Sequence, residues 1–255
     1  MDVQAFIIHL VRATQRRENA EQTLRDCRES GGIEGEFWPA VDGSTLSADT
    51  TESFFRPGVF EPTYPFALKT GEIGCFLSHR QVWAEIIRRD LRAGLVLEDD
   101  LLIDRDKFGP ALRLAMRHID DLGIIKMRIT PPKVKARLID RQEGANLVLS
   151  PEPGVGAQAN LISKDAARIL LDRSKVFDRP VDTFIQSHWH TGIRPATCFP
   201  AGIAHHYKAL EGSTIQAEKK SFKTKLWREL ARFRYRQSVR SFSRSSAAPY
   251  PDQQT

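Results

Sequence analysis

The stretch Leu95-Val96-Leu97-Glu98-Asp99-Asp100-Leu101-Leu102-Ile103 decides the reading of this chain. Its apolar run predicts a buried strand, and three carboxylates interrupt that run where the strand should end. Three adjacent acids repel one another and are costly to remove from water unless a cation compensates them. Oxygen ligands of this kind suit Mg²⁺ or Mn²⁺, which take one or two carboxylates and draw the rest of their shell from water and substrate phosphates. In an open α/β sheet, ligands bind just outside the carboxyl ends of the strands. The cluster therefore points to a site for a metal carrying a diphosphate. The alternative is a solvated acidic turn after a short strand, and the tripeptide alone does not separate the two.

Upstream, Phe6-Ile7-Ile8-His9-Leu10 predicts a first buried strand, followed by Arg12, Arg16 and Arg17 and a polar helical stretch to about Arg28. Arginines just after a strand either bind phosphate or are simply solvated. Phe37 to Gly43 predicts a second strand ending in an Asp42-Gly43 turn, which the turn chemistry of Asp and Gly explains without function. Residues 44–69 contain Pro57, Pro62 and Pro65 and are long for a structureless connection; a functional loop or short helices are expected there. Ile73, Phe76, Trp83 and Ile87 share one face of a helix that opens near Thr70, its predicted N-cap, and ends near Arg89. Glu72 suits the positive end of that helix. Gly71 and Gly74, poor helix formers, suggest close backbone approach. Ser78 and His79 either reach the site or serve structure. After Gly94 the chain enters the acidic strand, a helix-then-strand order of the βαβ kind.

Downstream, a helix is predicted over 108–122, strands over 123–129, 147–149 and 160–163, a helix over 164–172 capped by Ser163, a helix over 183–189 and a last strand over 193–198. Asp182 at a helix start reads equally as an N-cap. From about Ala217 the character changes. Between Lys219 and Arg244 ten Lys or Arg face the single acid Glu229, a local +9; subtracting it from the overall +6 leaves −3 for the rest. Phe222, Leu226, Leu230 and Phe233 fall on one helical face with Trp227 beside it, the pattern of a helix lying on an anionic membrane surface. The expected organisation is a globular domain over 1–216, a basic amphipathic helix over 217–240 and a disordered tail over 241–255.

No apolar run approaches the roughly 20 residues needed to span a bilayer, and the opening residues lack the pattern of a signal peptide. Cys27, Cys75 and Cys198 are far apart and odd in number, suggesting neither a disulfide framework nor a zinc site. A reducing cytoplasm is the expected compartment. Charge concentrated in a tail rather than spread over a folded face argues against nucleic acid as the partner.

Several of these stretches together resemble glycosyltransferase family 25, the bacterial lipooligosaccharide enzymes with relatives acting on collagen hydroxylysine. The matching segments are Ile7–Arg17, Pro39 to Gly43, Gly71-Glu72-Ile73-Gly74-Cys75-Phe76-Leu77-Ser78-His79, Leu97-Glu98-Asp99-Asp100, Gly156 to Ala167, and Pro180-Val181-Asp182. They cover roughly residues 3–215 in family order. His9 stands where the family commonly has Asn, and Ala159-Asn160 where an aromatic is usual. The resemblance implies an α/β fold of the GT-A kind, with a mixed central sheet flanked by helices and a nucleotide-sugar site.

It further implies Asp100 as the direct Mn²⁺ or Mg²⁺ ligand, with Glu98 and Asp99 toward the ribose or helping to hold the ion, and His205 or His206 completing the metal site. Arg12, Arg16, Asp42 and Ser78 are expected at the nucleotide, Asp182 as general base, and Glu72 and His79 in the same cleft. The implied reaction is inverting transfer of a hexose, with galactose the expected sugar, from a UDP-sugar to a lipopolysaccharide-core hydroxyl. Donor and glycolipid acceptor would be the partners, at the inner face of the cytoplasmic membrane. Two other classes compete. A metal-dependent nucleotidyl- or phosphotransferase would show a Gly-rich phosphate cradle beside the acids, and no convincing one is found. A nucleic-acid-binding or scaffold protein would act through the basic tail.

Overall fold

The computed structural model describes residues 2–205 and 222–250. In chain order the elements are β1 (Val3–His9), α1 (Thr14–Gly31), β2 (Gly35–Pro39), a 3-10 turn (Gly43–Thr45), α2 (Ala48–Phe54), α3 (Thr70–Arg88), β3 (Ala93–Glu98), β4 (Leu101–Ile103) and α4 (Arg105–Leu122). They continue with β5 (Ile124–Met127), β6 (Arg137–Gln142), β7 (Ala145–Leu149), β8 (Ala159–Ser163), α5 (Lys164–Arg173), α6 (Val181–Gln186), α7 (His188–Thr191), β9 (Ala196–Phe199), β10 (Ile203–His205) and α8 (Phe222–Ser245).

Eight strands form one sheet in the order β2-β1-β3-β8-β5-β9-β7-β6, and β10 pairs with β4 in a small second sheet. β1 runs parallel to both β2 and β3, whereas β8 lies antiparallel between β3 and β5. The architecture is the mixed α/β sheet flanked by helices that the sequence predicts. Successive strand residues face opposite sides. Leu95 and Leu97 therefore join Phe108 and Leu112 of α4 in one core, while Val96 joins Phe6, Phe76, Trp83 and Phe184 in the other.

Two local details fix the first half. Helix α3 begins at Thr70, but its N-cap is Lys69, whose backbone N–H donates to the Glu72 carboxylate at 2.8 Å; the N-cap expected at Thr70 is thus displaced by one residue. A Cβ on Gly74 would come within 2.6 Å of the Val41 carbonyl, so α3 can cross the loop after β2 only with glycine there. Gly71, paired with it in the sequence reading, has open space instead. β6 and β10 are the elements least visible in the pattern: β6 (Arg137-Leu138-Ile139-Asp140-Arg141-Gln142) is a polar strand at the sheet margin.

Helix α8 runs to Ser245, past the end expected at 240, and rests on the body. The Arg179 guanidinium donates to the Tyr235 hydroxyl at 3.2 Å; Arg179 is itself fully buried against Asp178. Arg240 and Arg244 lie 3.5 and 3.6 Å from Glu152, and the Ser246 hydroxyl is 2.8 Å from His188 Nδ1. The boundary expected between 216 and 217 lies outside the described residues.

Candidate active site

The site is built where β1 and β3 end side by side. Glu98 is the last residue of β3, and Asp99-Asp100 form the turn before β4. Asp99 is buried, and His9 Nδ1, from the end of β1, lies 2.8 Å from one of its carboxylate oxygens. The Arg16 guanidinium, from the first turn of α1, donates to the other at 3.1 Å and stands 3.9 Å from Asp100. Asn19, one turn further along α1, donates to the carbonyls of Asp99 and Leu101 at 3.0 and 2.9 Å, strapping the acidic turn to the helix.

Glu98 lies on the opposite side of the strand, toward α3. Burial pushes its carboxyl up to about 8, reinforced by the neighbouring charges of Asp100, Asp182 and Asp99. Burial is the larger cause of that displacement; the smaller part, from neighbouring carboxylates, is negative charge of the kind a divalent cation relieves. The carboxylate donors around Asp100 thus fit a hard, oxygen-preferring ion.

Asp182 is in the first turn of α6, where its carboxylate accepts from the Thr183 backbone N–H at 2.6 Å. The N-cap of that helix is Pro180, so Asp182 is not the cap residue. It lines a cleft of about 730 Å³ with Tyr64, Glu72, Lys126, Arg232 and Tyr235, the last two supplied by α8. Lys126 is buried in β5, and its ammonium donates to the Gly154 carbonyl at 2.5 Å. Burial pulls it down to about 7, against the opposing pull of Asp182.

The other expected residues divide into three groups. Arg12 and Asp42 meet each other, Nε to carboxylate at 2.5 Å, and Asp42 also accepts from Ser44, so the two hold one another by mutual charge and neither lines the cleft. Ser78 is buried and tied to backbone, donating to the Gly74 carbonyl at 2.7 Å and accepting from the Val41 N–H at 2.8 Å; it fastens α3 to the loop after β2. His79 is 0 % exposed, and burial holds its ring down to about 4 and neutral, so it touches no substrate from this position. The side chain of His205 and residue His206 lie outside the described residues.

Asn19, Lys126, Tyr64 and Tyr235 were not singled out in the sequence. Only Lys126 carried a signal there, as a lone cation within Ile124-Ile125-Lys126-Met127.

Residues 2–185 match the sequence model of Glycosyltransferase family 25 (LPS biosynthesis protein). The chain belongs to glycosyltransferase family 25. It is 38% identical over 102 residues to a Glycosyltransferase 25 family member of Drosophila pseudoobscura pseudoobscura, covering 39% of this chain and 16% of that protein. It is 33% identical over 163 residues to human Procollagen galactosyltransferase 2, covering 63% of this chain and 24% of the relative. The chain therefore spans less than a quarter of the length of either relative. Among solved structures, a glycosyltransferase involved in the glycosylation of the major capsid of PBCV-1 superposes with a TM-score of 0.37 at 9% identity, over 68% of this chain and 66% of that one.

Proposed function

We propose that this chain transfers a hexose, with inversion, from a UDP-sugar to a sugar hydroxyl of a lipopolysaccharide core or related surface glycan. The observation that carries the reading is the convergence of the Glu98-Asp99-Asp100 turn, held by Arg16 and His9, with Asp182 in the adjoining cleft. Galactose is favoured as the sugar by the name of the human relative, and the lipopolysaccharide acceptor by the description of the family.

In this reading Asp100 would hold Mn²⁺ or Mg²⁺, which would supply neutralisation of the charge that gathers on the leaving UDP. Arg16 orients the Asp99 carboxylate through its hydrogen bond and adds a positive charge next to the departing phosphates. Asp182 takes the proton from the acceptor hydroxyl, whose oxygen attacks the anomeric carbon from the face opposite UDP; the glycosidic bond forms as the sugar–phosphate bond breaks. Arg232 and Arg236 of α8, together with Arg128, give the acceptor cleft a basic lining suited to an acceptor carrying phosphate or carboxylate groups.

Helix α8 also fits attachment to an anionic bilayer. While one face rests on the body, Trp227, Leu230 and Phe233 are exposed among arginines, with Trp227 also meeting the Phe66 ring edge-on and, like Leu230, bordering a groove against Pro62 and Pro65. The acceptor cleft would then open beside the membrane that carries the acceptor, on the cytoplasmic side. Incubation with UDP-galactose and isolated core oligosaccharide tests the reaction: the acceptor should gain one hexose by mass with inverted anomeric configuration, and an unchanged acceptor across a panel of UDP-hexoses would count against it.

A further inference from the structure

Cys75 and His79 are four residues apart on α3 and so project from the same face of the helix. The end of β3 brings Glu98 to that face, and one ligand atom from each of the three lies within 4.8 Å of the others. The spacing is that of paired helical metal ligands, i and i+4, completed by a third donor from another element.

His79 supplies the independent observation. It is fully buried, yet both of its ring nitrogens lack a hydrogen-bond partner among the described residues. Buried polar atoms are normally satisfied, and an orphaned imidazole asks for whatever is missing. A neutral imidazole, as burial makes this one, is the form that binds a metal. Cys75 and Glu98 each keep some surface exposure, yet burial pushes the Cys75 thiol up to about 12 and the Glu98 carboxyl up to about 8, so an ion must displace both protons as it binds.

We propose that Cys75, His79 and Glu98 bind a thiophilic divalent cation, Zn²⁺, at a site separate from the hard-ion position at Asp100. The donor set separates the two: one thiolate, one imidazole and one carboxylate select zinc, whereas an all-oxygen set selects Mg²⁺ or Mn²⁺. Binding requires the Cys75 thiol to release its proton to solvent as the sulfur–metal bond forms. Tetrahedral bonds of about 2.0–2.3 Å bring ligand atoms to within roughly 4 Å of one another, so the cluster needs only a small contraction. The ion would pin the first half of α3 to the end of β3, next to the acidic turn, and neutralise Glu98 there. It makes no use of glycosyl transfer and stands or falls apart from it.

The test uses the full chain, stripped with chelator and dialysed. One equivalent of Co²⁺ should produce a sulfur-to-cobalt charge-transfer band in the near ultraviolet, and one equivalent of Zn²⁺ should abolish it by displacement. Cys75→Ser should remove the band, His79→Gln should weaken Zn²⁺ binding at least about tenfold, since even outer partners of a metal are worth that much, and Asp100→Ala should leave the band in place. X-ray absorption on the zinc-loaded wild-type protein supplies a reading that needs no variant: one sulfur at about 2.3 Å with nitrogen and oxygen near 2.0 Å. An all-oxygen shell, no charge-transfer band, or a band that persists in a folded Cys75→Ser protein would overturn the proposal.

Discussion

Arg16 donates to Asp99 at 3.1 Å and stands 3.9 Å from Asp100, so one guanidinium serves two of the three carboxylates in the turn after β3. The helix that carries it follows β1, which is hydrogen-bonded in parallel to β3. A cation is thereby delivered to the acids by topology, from a position more than eighty residues away in sequence.

Removing that cation should damage the site more than the fold. Arg16→Ala is expected to lower kcat/KM for the sugar donor by roughly 10–100-fold, the scale of a lost hydrogen bond between charged groups. Arg16→Lys should recover part of it, because lysine restores charge without the planar fork. Steady-state kinetics on both variants, with thermal melting as a folding control, reads the effect.

Glu98 makes the stability of the metal-free protein sensitive to pH in a defined direction. Its folded-state pKa, about 8, lies above the ordinary value of 4.5, so between those limits the folded state holds more proton than the unfolded state. Stability from this group is therefore complete at low pH and declines as pH rises through the window. Lys126, pulled down to about 7, acts in the opposite sense above that pH, and His79 and His188, held down to about 4 and about 3, do so below 6.5, so over pH 5–7 the Glu98 effect is read as a difference from a variant lacking its carboxyl. Melting curves across that interval should show wild type losing stability relative to Glu98→Gln; parallel curves would remove Glu98 as the cause.

The position of Asp182 makes a kinetic prediction. Asp182→Asn should reduce kcat by roughly 10²–10⁴-fold, the usual contribution of a general base, with donor affinity by calorimetry close to wild type. A matched loss of donor binding would instead mark Asp182 as a donor contact.

Helix α8 is better tested on its outer face than by deletion. Truncation would remove the Tyr235–Arg179 bond and the wall of the cleft along with the exposed face. Exchange of Trp227, Leu230 and Phe233 together for Ser alters exposed positions. It should cut binding to phosphatidylglycerol-containing vesicles by about tenfold or more, and raised salt should weaken what is left. Vesicle binding unaffected by the triple exchange would exclude this face as the contact.

Much of this arrangement was legible in the sequence because it rests on local pattern. The apolar run ending in Glu98-Asp99-Asp100 gave β3 and its acidic end, and the periodicity of Ile73, Phe76 and Trp83 gave α3. What escaped depends on contacts between distant segments. Asn19 reads as one polar residue in a polar helix until its amide meets the carbonyls of Asp99 and Leu101. Ser78 and His79 lie in the most specific motif of the chain, yet Ser78 bonds backbone and His79 is sealed from solvent; burial could not be read from their neighbours in sequence. The basic helix looked like an appendage because its charges dominate its composition. Its docking depends on a sparse stripe including Tyr235, Val239 and Ser243, which periodicity alone does not distinguish from a solvated face. β6 was missed for the same reason: a polar strand at the margin of the sheet carries no alternation of apolar residues.

The most direct test of the account is nucleotide release from a panel of UDP- and GDP-sugars, measured with Mn²⁺ and with chelator, for wild type and Asp100→Ala, with donor binding followed in parallel. The account predicts metal-dependent UDP release from one UDP-hexose, abolished in Asp100→Ala. Neither binding nor release with any donor, or release indifferent to both chelator and the Asp100 exchange, would contradict it.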